Sequence, residues 1–338
     1  MEKRGYKVCV TGGAGYIGSC LVKKLLEKGL TVHATLRNLD DPCKVGLLKS
    51  LPFADTGLQL FQADIYNPDE FGRAIEGCEF VFHVATPLQH TESSQYKSTT
   101  EAAIAGAKSI TLCCVRSRTV RRLIYTASVV AASPLKEDGS GFKDFMDETC
   151  WTPLDLSVAY CNDHLKGYTD SKTLAEKEIL SYGNNKDGGM EVVSLGLGLV
   201  GGDTLLSYTP LSVACFISLL TNKADEYNSL RFLEELLAKV PIIHIDDAIE
   251  AHIFCMEKPS IDGRFLCASS YVASADMADY YRQNYPEFHV KQEYLNGPKS
   301  GTQWGSTKLN KMGFEYKYDT KMILDDCIRI ARKMGDLQ

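Results

Sequence analysis

The chain has 338 residues, 44% hydrophobic and 24% charged, which suits a soluble globular protein with one large domain and a second lobe. Its formal net charge of −6 gives no electrostatic case for a nucleic acid or an anionic membrane as partner. Twelve cysteines are scattered without any C-x-x-C, so no metal-ligand spacing is present and no metal is expected.

No signal-type apolar stretch precedes the first strand, and no run approaches ~20 apolar residues. The last residues carry no lipidation motif. Unpatterned cysteines without a leader fit a reducing compartment, so a cytoplasmic protein is expected. Cys9, Cys215, Cys255 and Cys267 sit in apolar runs and read as small core residues.

In chain order, residues 7–10 read as a buried strand, followed by a glycine-rich turn at residues 12–18. Residues 19–28 read as a helix, with Leu21, Val22, Leu25 and Leu26 on one face and Gly29 as its stop. Strands are predicted at 31–36, 58–63 and 80–84, with a short helix closing at 74–77. A helix at 99–116, a strand at 123–127 ending at Ser128, a helix at 168–182 and a strand at 191–195 follow. Short apolar strands alternating with helices mean an α/β, Rossmann-type doubly wound parallel sheet. Residues 1–195 are expected to form the dinucleotide-binding domain. Residues 196–338, where this rhythm weakens, are expected to form a smaller substrate-binding lobe interleaved with the last strands.

Ligands of such sheets bind beyond the carboxyl ends of the strands. The candidate residues fall there. Gly12, Gly15 and Gly18 form G-x-x-G-x-x-G between a strand and a helix. Gly12 permits a tight turn, Gly15 lets the backbone approach a pyrophosphate, and Gly18 allows close helix packing; Tyr16 and Ile17 complete the helix start. After the second strand, Arg37 offers a planar fork for a 2′-phosphate and Lys44 a second charge, favouring NADPH. Asp40 and Asp41 beside them would suit NAD. Asp64 after the third strand is either an adenine contact or a turn aspartate, with Ile65 next to it. Val84 ends the fourth strand, Ala85 and Thr86 follow it, and Leu195 closes the sixth.

Tyr168 and Lys172 spell Y-x-x-x-K, and Ser128 ends the fifth strand. On a helix, Tyr168 and Lys172 share one face. An ammonium beside a phenol is expected to lower its pKa, letting Tyr168 exchange a proton while Ser128 polarises a carbonyl. Lys172 would also hold the nicotinamide ribose. His164, four residues before Tyr168, is either a substrate contact or a solvent-exposed histidine in a polar turn. His83, in an apolar strand, reads as a satisfied core histidine. His244, Asp246 and Asp247 read as scaffold.

These residues resemble the extended short-chain dehydrogenase/reductases, and within them the plant dihydroflavonol, anthocyanidin and vestitone reductases. The likeness spans nearly the whole chain. It includes Val8-Cys9-Val10-Thr11-Gly12-Gly13, Phe82-His83-Val84-Ala85-Thr86-Pro87, Ser171-Lys172-Thr173-Leu174-Ala175-Glu176-Lys177 and His244-Ile245-Asp246-Asp247. The resemblance implies an NADPH-dependent reductase acting on a ketone of a flavonoid, isoflavonoid or similar ring compound, with Ser128, Tyr168 and Lys172 as its catalytic residues. The partner would be a small molecule, and the protein a monomer or homodimer. Ser133 occupies a position that faces the substrate ring in dihydroflavonol reductases. Gly196 stands where the family usually carries a proline near the nicotinamide, and a more mobile loop is expected there. Residues 203–239 match the family poorly and are expected to line the substrate pocket. A sugar-nucleotide epimerase or dehydratase on the same scaffold, and a dinucleotide-binding regulator without turnover, are the alternative readings.

Overall fold

A computed structural model describes residues 5–87, 94–154, 158–183, 189–297 and 300–338. The chain begins β1 (Lys7–Thr11), α1 (Tyr16–Glu27), β2 (Thr31–Leu36), α2 (Pro42–Lys49), α3 (Ala54–Gly57), β3 (Leu58–Gln62), α4 (Phe71–Ile75), β4 (Phe80–His83), α5 (Thr99–Ser117) and β5 (Arg122–Ser128). It continues with β6 (Phe145–Met146), α6 (Asp163–Leu180), β7 (Glu191–Leu197), β8 (Leu199–Gly201), α7 (Leu211–Thr221), α8 (Ala224–Leu237), β9 (Val240–His244), α9 (Ile245–Glu257) and β10 (Gly263–Cys267). The final elements are β11 (Ser270–Val272), α10 (Ser274–Asn284), β12 (Gln303–Trp304), α11 (Lys308–Lys311) and α12 (Thr320–Met334).

Seven strands form one sheet in the order β10-β7-β5-β4-β1-β2-β3. β1 pairs in parallel with β2 and β4, β2 with β3, and β4 with β5. The strand order reverses beside β1, which is the switch point where doubly wound sheets take ligands. The strands are short because each crosses the sheet once between buried faces. Val8, Cys9 and Val10 are fully buried, as are Val32 and Ala34 in β2. Among the described residues no helix is long and apolar enough to cross a membrane.

Contacts group the chain into two compact units: residues 1–127, 170–195 and 249–264, and residues 128–169, 196–248 and 265–338. This differs from the expected boundary at residue 195. Residues 128–169 join the second unit because the chain leaves the sheet after Ser128, and β6 then pairs with β12. Residues 249–264 join the first unit because the end of α9 is tied to β5. Fully buried Arg122 donates to the carbonyls of Cys255, Met256 and Lys258 and pairs with Glu191 at the start of β7.

Within the second unit, His244 stacks on Tyr318 at 3.6 Å and hydrogen-bonds Asp326 at 3.1 Å. Asp247 accepts the backbone N–H groups of Lys317 and Tyr318. These residues are scaffold, as their sequence context suggested. None of the twelve cysteines forms a disulfide, and Cys9, Cys215, Cys255 and Cys267 are buried.

Candidate active site

The glycine loop is built by hydrogen bonds from β2 and by the absence of side chains. Gly12 adopts φ +69°, a left-handed turn that glycine alone takes without cost. Its N–H donates to Thr35 Oγ1 at 3.2 Å, and Gly13 N–H donates to the Thr35 carbonyl at 3.0 Å. The Gly15 N–H closes the turn onto the Gly12 carbonyl at 3.1 Å. A Cβ on Gly18 would sit 2.2 Å from that same carbonyl oxygen. Gly18 therefore serves the turn itself as well as the packing of α1.

Gly15 caps α1 in an extended conformation, with no side-chain cap and no acidic residue in the first turn, where Tyr16 and Ile17 begin the helix. That leaves a positive helix end with N–H groups for an anion. The absence of a Cβ at Gly15 and Gly18 keeps the cradle open, so these residues fit a dinucleotide pyrophosphate.

On the far side of the loop, Thr11 Oγ1 accepts from the N–H groups of Val84 and Ala85 at 3.1 Å each. It also bonds His83 Nδ1 at 2.9 Å. His83 is buried, and burial, helped by the nearby Lys172 charge, lowers its pKa to about 3. It is a neutral core histidine.

Arg37 follows β2 directly, with its side chain 72% exposed and its Nε 3.9 Å from an Asp64 carboxylate oxygen. Lys44 lies in the first turn of α2, beside Asp41 at 3.3 Å. Asp41 is the cap of that helix, accepting the N–H groups of Cys43 and Lys44. Asp64 accepts the Tyr66 N–H, so it makes an Asx turn. Ile65 is buried, and a Cβ on Gly106 would meet it at 2.4 Å. Leu195 is fully buried inside β7. The side chains of Ile65 and Leu195 therefore pack in the core, so any cofactor contact there would come from their backbone. Both lie in runs where a strand end and its core cannot be separated by pattern.

Helix α6 carries Tyr168 and Lys172 one turn apart. The Lys172 ammonium is buried and donates to Thr86 Oγ1 at 2.7 Å and to the Thr126 carbonyl at 3.0 Å. The Tyr125 ring lies 5.3 Å from its Nζ. Burial lowers the pKa of Lys172 to about 8, against the opposing charge of Glu176. Tyr168 hydrogen-bonds Ser128, and its pKa is raised because burial outweighs that bond. This reverses the expected direction: desolvation, not the neighbouring ammonium, dominates. The phenol is neutral across the ordinary pH range, which is the form that donates a proton.

The two substrate candidates sit in different surroundings. Ser133 is fully buried, donates to the Leu236 carbonyl and accepts the Leu135 N–H. Its hydroxyl is committed to backbone groups. His164 lies in the first turn of α6 and is exposed. Gly196 also departs from expectation. It lies inside β7, and a Cβ there would meet Leu266 at 2.9 Å and the Phe265 carbonyl at 3.5 Å. Close packing, not loop mobility, explains the glycine.

Thr11 and Thr35, which hydrogen-bond the backbone around the glycine turn, and buried Glu176 were not singled out by motif spacing alone. Glu176 had a signal, since 168, 172 and 176 share one helical register.

A parallel sheet with its order reversed at β1, a phosphate-type glycine turn there, and a tyrosine and lysine one turn apart define a dinucleotide-dependent oxidoreductase. Its cofactor is a nicotinamide dinucleotide. A model of the NAD dependent epimerase/dehydratase family matches residues 8–265. Anthocyanidin reductase ((2S)-flavan-3-ol-forming) of Vitis vinifera is 33% identical over 98% of this chain and 96% of its own length. Noscapine synthase of Papaver somniferum is 35% identical over all of this chain and 95% of its own. The crystal structure of vestitone reductase from alfalfa, Medicago sativa, superposes with a TM-score of 0.78 at 33% identity, covering 98% of this chain and 99% of that one. The chain belongs to the NAD dependent epimerase/dehydratase family, the extended short-chain dehydrogenase/reductases.

Proposed function

We propose that the protein is an NADPH-dependent carbonyl reductase of plant-type specialised metabolism. Its substrate would be a flavonoid, isoflavonoid or similar ring ketone. The observation that carries this reading is the Tyr168 phenol, held neutral by burial and hydrogen-bonded to Ser128.

When bound, a reduced nicotinamide supplies the hydride. The chain's own residues manage the proton and the oxygen. Ser128 hydrogen-bonds the substrate carbonyl and aligns it with Tyr168. Tyr168 donates its hydroxyl proton to the oxygen as the carbon is reduced. Lys172, charged below about pH 8, stabilises the phenolate that remains. Arg37 and Lys44 support the 2′-phosphorylated dinucleotide, because both stand where a planar fork and a second charge can meet a phosphate.

The substrate class draws on two observations. Anthocyanidin reductase and vestitone reductase are among the relatives. Around Tyr168, the second unit packs an apolar cluster that includes Val129, Phe232 and Leu236. Such surroundings suit a bulky, mainly apolar ring system. Twelve cysteines held as thiols support a reducing cytosol as its location.

The test is a paired assay. Wild type and Tyr168→Phe are mixed with NADPH, or separately NADH, and with flavanones, isoflavanones, dihydroflavonols and alkaloid ketones. Loss of reduced-nicotinamide absorbance in wild type, abolished in the variant, is the expected result. Tight NADPH binding by both proteins with no turnover of any ketone would overturn the reading.

A further inference from the structure

The segment that follows β4 joins two parts of the site. Val84 and Ala85 donate their N–H groups to Thr11 Oγ1 at the end of β1. Ala85 also lies back to back with the glycine turn: a Cβ on Gly12 would meet its Cα at 3.0 Å. One residue on, the Thr86 hydroxyl accepts from the Lys172 ammonium at 2.7 Å. The backbone that carries Thr86 is thus held by the turn that forms the pyrophosphate cradle, and its side chain reaches the lysine of α6.

An ammonium has three N–H donors and no acceptor. Lys172 is buried, where its charge is costly unless those donors are met. Thr86 supplies the side-chain acceptor, and the Thr126 carbonyl, at 3.0 Å, supplies the backbone one. Thr126 is fixed in turn, its hydroxyl 2.8 Å from Nε2 of fully buried His252. The titratable groups around this seat come from three elements. β4 contributes His83, whose protonation the ammonium opposes, and β5 contributes the Tyr125 ring. Along α6, Tyr168 and Glu176 stand one turn to either side, and Glu176 is clamped by Arg264.

We propose that Thr86 is a positioning residue for the reaction: its hydroxyl seats the Lys172 ammonium beside the Thr126 carbonyl, and Ala85 ties that seat to the glycine turn. Its effect on chemistry runs through Lys172, and to that extent the proposal rests on the reductase reading. Thr86→Val keeps nearly the same shape and removes the acceptor. Burial then meets one hydrogen bond fewer on the charged form, so Lys172 loses its proton at lower pH. Thr86→Ser keeps the acceptor and should restore the seat.

The experiment reads Lys172 in two independent ways in the full-length protein. Wild type, Thr86→Val, Thr86→Ala and Thr86→Ser are labelled with 13C at the lysine Cε, and the Lys172 signal, assigned through Lys172→Met, is titrated by NMR without cofactor. The same proteins are assayed for kcat/KM from pH 6 to pH 10. Thr86→Val is expected to lower the midpoint by about one unit, so that activity drops about fivefold at pH 8 and little at pH 6. Thr86→Ser is expected to follow wild type in both. Thr86→Ala removes the same hydroxyl and decides the matter if Thr86→Val fails to fold. An unchanged midpoint, even beside a raised KM for NADPH, would make Thr86 a cofactor contact alone and overturn the proposal. So would an activity loss equal at every pH, or a serine variant that behaves like the valine one. If the reductase reading is wrong, wild type shows no turnover, while the midpoint still moves with the Thr86 hydroxyl.

Discussion

The carbonyl oxygen of Gly12 stands where the side chain of any residue at position 18 would begin, 2.2 Å from an ideal Cβ. The blocking atom is backbone, so nothing can swing aside. Gly18→Ala should therefore open the turn, with an overpacking cost of about 1–3 kcal/mol. Gly15 is different. Its φ of −81° suits any residue, and a Cβ there would lie 3.5 Å from the Gly12 oxygen. Gly15→Ala should keep its melting temperature yet lose dinucleotide affinity, because the methyl stands where the pyrophosphate approaches. Thermal melts paired with cofactor fluorescence titrations separate the two. Equal affinity for wild type and Gly15→Ala would place the phosphate elsewhere.

Arg37 is mainly solvent-exposed and only loosely paired with Asp64 at 3.9 Å. Removing it should cost little stability. A hydrogen bond to a charged group is worth about 1.5–3 kcal/mol, so Arg37→Ala should raise the KM for NADPH roughly tenfold to a hundredfold. The KM for NADH should stay put, and the NADPH effect should weaken with salt. A matching change for both cofactors would mean that Arg37 does not read the 2′-phosphate.

The sheet was legible because each strand is a short apolar run ended by a glycine or a polar residue. The strand predicted at 31–36 coincides with β2, and those at 58–63 and 80–84 overrun β3 and β4 by one residue each. Helix α6 starts five residues earlier than expected, at Asp163, because its first turn is polar and carries no apolar stripe. The glycine loop was legible because its constraint is local. The packing of Ile65, Leu195 and Ser133 was not, since what decides it is the far side of each residue. Ile65 meets Gly106, and Ser133 meets the carbonyl of Leu236, a hundred residues on. The direction of the Tyr168 pKa was missed for the same reason: the lysine four residues away is visible in sequence, but the burial that outweighs the Ser128 hydrogen bond is not.

Lys172 carries a pH signature with two opposite signs. Its pKa is about 8 in the folded protein and about 10.4 in an unfolded chain. As pH rises through 8 the folded protein releases a proton that the unfolded chain still holds. Lys172 thus destabilises the fold most at low pH, and this cost fades between about pH 8 and pH 10.4. Activity moves the other way, falling above about pH 8 as the ammonium is lost. Lys172→Met should therefore keep or gain stability at pH 7 while losing turnover. Denaturant melts at pH 7 and pH 10, beside a pH–rate profile, check both signs. An activity profile flat through pH 8–9.5 would show that the charge on Lys172 is not required.

Arg122 is the interior cation that holds the end of α9 to the sheet. Its Nε donates to Glu191 at 2.8 Å, and its guanidinium also serves the carbonyls of Cys255, Met256 and Lys258, the last two at 3.0 Å. Arg122→Met fills similar space but leaves Glu191 without its cation and those carbonyls short of a donor. Breaking one side of a buried pair costs about 3–5 kcal/mol. The loss should depend on pH in a defined way. Burial works against the Glu191 carboxylate, but Ser260 and Arg122 hold its pKa below the ordinary value. That increment is present above the unfolded carboxyl pKa of about 4.3 and disappears as pH falls through the lower folded value. Wild type and Arg122→Met should therefore differ most near neutrality and converge on acidification. Urea unfolding at pH 7 and pH 3.5 measures this. A difference that is the same at both pH values would mean that Arg122 acts through the carbonyls alone.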